Sequence, residues 1–398
     1  MPKLVVAPRI RSFICLNAHP LGCAANVERE IAVATAGAPG SGLKHALVIG
    51  ASTGYGLSTL VSAVFGYGAR ATAICLERPP QGERTASAGY YNLAAAQRLA
   101  RARGSDIAVI NGDAFSEGVK QEALARIAAS GVKVDLVVYS LAAPKRTDEH
   151  TGVSYNSALK PIGAPFRSPS INLGNDQIQQ VDIPPATDAE IEATRKVMGG
   201  EDFAAWVSAL LAADVVAKGC RAVAYSYIGP ELTMPIYRSG TIGKAKEDLE
   251  TTTAALSAAL RDRVGGAAWV SVNKALVTQA SAAIPVVPLY ISALYRVMKE
   301  AGTHEGTAEQ IARLFRDHLA PGRTPTTDAA GRIRTDDREM APAVQARVSE
   351  MWKTVTSETL MSAIDYAGFK HDFRVLFGFE VPGVDYDAPV ETEVPLAE

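Results

Sequence analysis

No two of the four cysteines in this 398-residue chain (Cys15, Cys23, Cys75 and Cys220) form a CxxC pair, and none stands at metal-ligand spacing from a histidine. That predicts reduced thiols in a cytoplasmic protein and no metal site. The six histidines are scattered, without HExxH or another paired motif. Neither sign of charge dominates. A formal net charge of −2 gives no global reason to expect nucleic acid or a membrane surface as partner. No apolar run approaches the ~20 residues of a membrane span. The opening stretch is broken by Pro8, Arg9 and Arg11 and does not read as a signal peptide. Repeats, low-complexity segments and clear linkers are missing too. The whole of 1–398 therefore reads as one enlarged domain, and 47% hydrophobic residues are ample for a large core.

What is present is an alternation. A short strand and a helix are expected before residue 45. Residues 46–51 (ALVIGA) form an apolar run suited to a strand buried on both faces. Ser52-Thr53-Gly54-Tyr55-Gly56 follows, and then a stretch of helical spacing. Strand, glycine-rich turn and helix together let the backbone approach a pyrophosphate at a helix N-terminus. Further strands are expected at 71–77, 106–115, 134–142, 221–229 and 267–277. Helices are expected at about 86–102, 117–130, 187–198, 201–218 and 244–263. The pattern predicts an α/β fold, a Rossmann-type doubly wound parallel sheet whose ligands sit beyond the carboxyl ends of the strands. Residues 143–185 break the rhythm and read as an inserted β-hairpin or lid near that edge. The C-terminal third adds helices at 289–301, 307–319 and 342–366, a loop at 321–334, and a short strand and tail at the end.

Candidate site residues fall at the strand ends. Glu77, closing the second strand, suits an adenosine ribose and disfavours a 2′-phosphate, which points to NADH over NADPH. Arg78 beside it weakens that inference, since an arginine there accommodates such a phosphate. Asp113 and Ala114, after the third strand, are adenine contacts or simply a turn. Ser140, Leu141 and Ala142 end the fourth strand on the nicotinamide side. Tyr225 and Tyr227 are half-buried aromatics or, for one of them, a substrate contact. Thr278 reaches the cofactor or caps a helix, two equally good readings.

The segment YRSGTIGKAK (237–246) brings a phenol and an ammonium together where a loop becomes a helix. Pro235, Gly240 and Gly243 argue against one continuous helix from Tyr237. The expected arrangement places Tyr237 on the incoming loop and Lys246 in the first turns of a helix starting near Gly243. A lysine there reaches a ribose and biases the tyrosine toward proton transfer.

With these residues in view, the chain resembles the FabV-type enoyl-acyl-carrier-protein reductases and related trans-2-enoyl-CoA reductases, enlarged short-chain dehydrogenase/reductase relatives. The resemblance runs nearly end to end, through PRIRSFICLNAHPLGC, VIGASTGYGLST, NGDAF, VDLVVYSLAAP, SALKPIG, VMGGEDF, PIYRSGTIGKAKEDL, ALVTQASAAIP and FGFEVPGVDYD. Eight residues between tyrosine and lysine match this type, against three in typical short-chain dehydrogenases and six in the common enoyl reductases.

The resemblance implies NADH-dependent reduction of the C2=C3 bond of trans-2-enoyl thioesters. Enoyl-acyl-carrier protein or enoyl-CoA would be the substrate, and the protein a monomer whose inserted hairpin covers a surface where relatives oligomerise. By the same resemblance Tyr237 and Lys246 are catalytic and Tyr227 contacts substrate. Gly50, Ala51, Ser52, Thr53, Gly54 and Tyr55 bind cofactor phosphate and ribose. Leu76, Glu77, Asp113, Ala114, Leu141, Ala142, Lys246, Leu276, Val277 and Thr278 complete the cofactor contacts. Leu76 replaces a common aromatic, and Ala143 and Ala282 stand where serines are frequent. A ketone or alcohol dehydrogenase with the same pair, and a non-catalytic dinucleotide sensor, are the rival readings.

Overall fold

Apolar runs whose backbone groups are satisfied only by pairing on both sides build the centre of the fold. The computed structural model describes residues 3–37, 40–141 and 143–397. Among them, seven strands form one sheet: β1 (His45–Ile49), β2 (Arg70–Cys75), β3 (Ile107–Asn111), β4 (Val134–Tyr139), β5 (Val216–Ser226), β6 (Ala267–Val272) and β7 (Ile333–Arg334). Every pair is parallel, in the spatial order 7-6-5-4-1-2-3. The order reverses between β1 and β4, and in a doubly wound sheet that is where a ligand crevice opens.

Alternation along β1 serves both faces. Ala46 and Val48 pack toward α1 (Pro20–Thr35), α2 (Gly54–Val61) and α3 (Ala88–Ala102), where Val27, Leu57, Leu60 and Leu93 are buried. Leu47 and Ile49 face the other layer, which holds α4 (Glu117–Ala129), α5 (Asp188–Met198), α6 (Glu201–Ala212) and α7 (Thr241–Val264), with Phe203, Trp206 and Leu249 in its core. A third cluster joins α9 (Val287–Glu300) to α11 (Pro342–Thr354) and α13 (Tyr366–Val375), and it also buries Tyr237, Leu276 and Val277. Between these come α8 (Gln279–Ala282), α10 (Thr307–Leu314) and α12 (Leu360–Ala363).

Several boundaries differ from expectation for identifiable reasons. Residues 213–218 are not the end of a helix. Asp214 takes φ +52 and turns the chain, β5 begins at Val216, and Gly219 (φ +76) lies where its register shifts. The loop at 321–334 contains β7, only two residues long and paired to Ser271 and Val272. β6 stops at Val272 because, after Asn273 N has donated to Ser226 O (2.9 Å), the following amides are taken by side chains. Lys274 N donates to Gln310 Oε1 (2.9 Å), Ala275 N to Glu339 Oε2 (2.7 Å) and Val277 N to the Tyr295 hydroxyl (3.3 Å). At the C-terminus α13 runs to Val375 in place of the expected strand, and among the described residues only a bridge between Leu4 and Val390 follows.

The insertion forms two hairpins, Lys145–Thr147 with Ser154–Asn156 and Phe166–Asn172 with Gln177–Ile183. Its middle is stitched to the start of α7: Thr241 N donates to Lys160 O (3.0 Å), and the Thr241 hydroxyl donates to Ala158 O. The C-terminal tail returns to α3, where the Tyr91 hydroxyl donates to Thr392 O (2.7 Å) and Ala397 N donates to Gln97 Oε1 (2.9 Å).

Candidate active site

The chain leaves β1 at Gly50 with φ +83, and a Cβ there would lie 2.2 Å from Ser140 O. A Cβ on Gly56 would lie 1.8 Å from Gly50 O. Both positions therefore require glycine, which brings the turn against β4 and seats α2 close to the sheet. Thr53 begins α2 in an extended conformation with no side-chain cap. The first-turn amides are left to an anion, as a dinucleotide pyrophosphate requires. The Tyr55 side chain turns away from that edge: its hydroxyl donates to Lys274 O (2.6 Å) and Gln310 Oε1 (2.8 Å), tying α2 to the loop after β6.

At the end of β2, Ser52 Oγ donates to Glu77 Oε1 (2.6 Å), and Ser87 Oγ donates to the other carboxylate oxygen. Asn111 fixes the Glu77 backbone from both sides, accepting from its amide (2.7 Å) and donating to its carbonyl (2.8 Å). Asn92 Nδ2 holds Ser52 O at 3.0 Å. The Leu76 side chain beside this network is 73% exposed. Arg78 reaches back to Thr85 O through Nη2 (3.4 Å), while its Nε is buried without a partner.

Asp113 shapes the turn after β3, its Oδ1 accepting from Phe115 N at 3.0 Å. The Ala114 carbonyl is held from inside, by Trp206 Nε1 (3.1 Å) and Lys120 Nζ (3.2 Å). Lys120 pairs with Asp202 at 2.9 Å with both side chains 2% exposed, and Asp202 also accepts from the Tyr139 hydroxyl (3.0 Å). Leu141 is half-buried beside Gly50, and Ala142 lies outside the described residues. Thr278 caps α8, accepting from Ser281 N (3.0 Å), and its methyl would stand 3.6 Å from a Cβ on Gly54. The 274–278 loop thus passes over the glycine turn. At the same sheet edge, Ser226 Oγ and Asn273 Nδ2 are buried without partners.

Tyr237 lies in the turn before α7, whose helical residues begin at Thr241, two earlier than expected. Gly243 permits the tight corner, since a Cβ there would lie 2.0 Å from Arg238 O. Tyr237 meets Tyr227 edge to face and is 5% exposed. Among the described residues its hydroxyl has no hydrogen-bond partner. Burial, reinforced by the Glu339 charge, pushes the Tyr237 phenol above its usual range, so it stays a proton donor at neutral pH. Lys246 Nζ approaches Tyr225 O at 3.4 Å. Burial brings this ammonium down to about 8, opposed by Glu250. Tyr225 itself is structural, its hydroxyl paired with Thr59 Oγ1 at 2.6 Å.

Sequence reasoning missed Ser87, Asn111 and above all Glu339. The buried Glu339 accepts from the Tyr227 hydroxyl (2.9 Å), from Tyr290 (2.7 Å) and from Ala275 N. A charged residue inside an apolar run was the available signal for its neighbour Lys274. Glu339 carried none. Two clefts flank the loop after α8. One of about 220 Å³ lies between the N-terminal segment, the second hairpin and that loop, lined by Phe13, Ile171, Val181, Ala283 and Ile284.

Comparison with known proteins agrees with this geometry. Residues 84–320 match a family model described as the trans-2-enoyl-CoA reductase catalytic region, and residues 5–82 match the NAD(P)H binding domain of trans-2-enoyl-CoA reductase. An enoyl-[acyl-carrier-protein] reductase [NADH] of Opitutus terrae is 50% identical, over 99% of this chain and 100% of its own. A trans-2-enoyl-CoA reductase [NADH] of Clostridium perfringens is 49% identical, over 98% and 99%. The crystal structure of Treponema denticola trans-2-enoyl-CoA reductase in complex with NAD superimposes with a TM-score of 0.94 at 42% identity, covering 99% of this chain and 100% of that one.

Residues 327–390 match a model described as an enoyl reductase FAD binding domain. Here they form β7 and the helices α11 to α13, packed through Val348, Trp352 and Phe369 into the cluster that buries Tyr237. Their described residues contain no strand–glycine turn–helix cradle; that unit lies at β1 and α2. The segment does not fit a flavin. The first-turn amides of α2, the glycine turn and Glu77 do fit a nicotinamide dinucleotide.

Proposed function

The chain belongs to the trans-2-enoyl-CoA reductase family, and from that premise we propose that it reduces the C2=C3 bond of trans-2-enoyl thioesters with NADH. We take enoyl-acyl-carrier protein as the physiological substrate and enoyl-CoA as an accepted one. One observation carries the reading: Tyr237, buried and with its hydroxyl unclaimed, stands one short turn before the helix bearing Lys246, at the sheet edge that holds the glycine turn.

Glycines 50, 54 and 56 and the open amides of α2 receive the pyrophosphate. Glu77 receives the adenosine ribose, and its negative charge repels a 2′-phosphate, which selects NADH. The backbone at Ala51, Ser52 and Thr53, with Leu76, Asp113, Ala114 and Leu141, lines the rest of the groove. Leu276, Val277 and Thr278 close it from above. Hydride for C3 comes from the dihydronicotinamide when NADH is bound. As negative charge develops on the thioester oxygen, the Tyr237 hydroxyl donates to it and stabilises the enolate. Lys246 holds the nicotinamide ribose and, while charged, favours transfer of the tyrosine proton. Tyr227 packs against Tyr237 and keeps its ring in place. The chain acts as a monomer in the cytoplasm, which size-exclusion chromatography and cell fractionation check.

The test follows NADH oxidation by the purified protein with trans-2-enoyl-CoA and trans-2-enoyl-acyl-carrier protein side by side. Turnover with either supports the reaction class, and the ratio of kcat/KM values assigns the carrier. No turnover with both, despite NADH binding, overturns the reading in favour of a sensor.

A further inference from the structure

Behind the two tyrosines lies a carboxylate that the sequence did not point to. Glu339 sits between β7 and α11 with no solvent exposure. Its two oxygens have different partners. Oε1 accepts from the Tyr227 and Tyr290 hydroxyls, at 2.9 and 2.7 Å, and Oε2 accepts from Ala275 N at 2.7 Å. Gln345 Nε2 braces the group, donating to the Tyr290 hydroxyl (3.0 Å) and to Glu339 O (2.7 Å). Lys274, 2% exposed, lies beside it and donates to Ala275 O at 3.1 Å.

This donor set has two consequences. An amide N–H can only donate, so Oε2 is an acceptor; burial raises the Glu339 carboxyl, opposed by Lys274 and by the three donors converging on it. The Tyr227 proton is committed to Oε1, so that phenol offers lone pairs, not a proton, to its other neighbours. Tyr237 is left as the proton donor of the pair. Three donors on one buried carboxylate are also stronger than neutral hydrogen bonds, and removing one partner leaves a costly orphan.

We propose that Glu339 is a positioning residue for the reduction: one oxygen sets Tyr227 against the Tyr237 ring, and the other fixes the 275–278 loop beside the glycine turn, so that both walls of the site share one anchor. Tyr227 is reached from the strand-end side, Ala275 from the cofactor side, and no other described side chain holds both. The inference rests on the enoyl reductase reading and deepens it. A carboxylate that merely filled the core would affect stability alone; an anchor of two walls affects turnover through Tyr227 and nucleotide affinity through the loop.

The experiment uses the full chain with trans-2-butenoyl-CoA and NADH, in four forms: wild type, Glu339→Gln, Tyr227→Phe and the double variant. Glu339→Gln keeps the shape but cannot accept on both sides. The expected result is a kcat lowered at least tenfold and an NADH dissociation constant raised several-fold by fluorescence titration. In the Tyr227→Phe background the further kcat loss from Glu339→Gln shrinks to about twofold or less, the non-additivity of groups acting through one another. Equal kcat losses in both backgrounds, or an unchanged NADH affinity, overturn the proposal. Should Glu339→Gln not fold, Glu339→Asp retains the charge but loses the reach to span both partners, and wild-type kcat with wild-type NADH affinity in that variant overturns it equally. An inactive wild type sinks the reductase reading instead, and the NADH titration then decides on Glu339 alone.

Discussion

The rings of Tyr227 and Tyr237 meet edge to face, their centroids 4.8 Å apart and their planes at 84°. This is the favoured geometry for two aromatic quadrupoles, worth about 1 kcal/mol beyond burial. It gives the two phenols separate tasks, because one hydroxyl is spent on Glu339 and the other is free. Tyr237→Phe keeps the ring contact and removes the donor. Its kcat should fall by roughly 10² to 10⁴ with NADH affinity unchanged. Tyr227→Phe should cost less in kcat. A Tyr237→Phe enzyme that turned over at the wild-type rate would remove the phenol from the mechanism.

Lys246 gives the site a pH limit. Burial lowers this ammonium from its usual 10.5 to about 8, so its charge is lost as pH rises through that value. With the charged form required, kcat/KM for the thioester should decline above pH 8, approaching tenfold per unit. Lys246→Arg keeps its charge throughout. Whatever its rate, the alkaline decline should move beyond pH 10. A decline at the same pH in both enzymes would assign it to another group.

The buried Lys120–Asp202 pair supports the turn after β3 through the Ala114 carbonyl. Lys120→Met leaves Asp202 charged or forces it to take a proton in a site that already raises its carboxyl by burial. Breaking such a pair typically costs about 3–5 kcal/mol. Urea unfolding should show a loss of that size, and NADH should bind more weakly. Loss of stability with unchanged NADH affinity would make the pair purely structural.

Glycine positions can be ranked by what surrounds them. Gly50→Ala adds a methyl 2.2 Å from Ser140 O at φ +83, whereas Gly68→Ala at φ +71 meets nothing within 4 Å. The second should cost only left-handed strain, about 1–2 kcal/mol. The first should abolish NADH binding, which titration of both variants with NADH checks.

Much of this was legible because local patterns report local events. The apolar run of β1, the three glycines after it and the eight residues between Tyr237 and Lys246 are all short-range signals, and the glycine turn and the Tyr–Lys corner lie at the same sheet edge. What escaped has no local signature. β7 is a strand only because Ser271 and Val272 pair with it. β5 starts early because Asp214 and Gly219 adopt backbone angles that spacing does not reveal. Glu339 draws its meaning from Tyr227 and Tyr290, 112 and 49 residues away. That the Thr278 hydroxyl accepts from Ser281 N is visible only in the fold. The tie from the Tyr55 hydroxyl to the loop after β6, 219 residues away, likewise has no local signature.

The return of the tail to α3, through Thr392 and Ala397, bears on how the protein is made. A ribosome delivers the glycine turn before Glu339 and before the residues that brace α3. The nucleotide half therefore emerges with its outer wall and its Glu339 anchor still unmade. Domains fold as units once their sequence is available, and here that includes residues 392–397 packing on α3. Translation that stops short of residue 339 should release a chain without either wall of the site in place, so an incomplete product is silent rather than partly active.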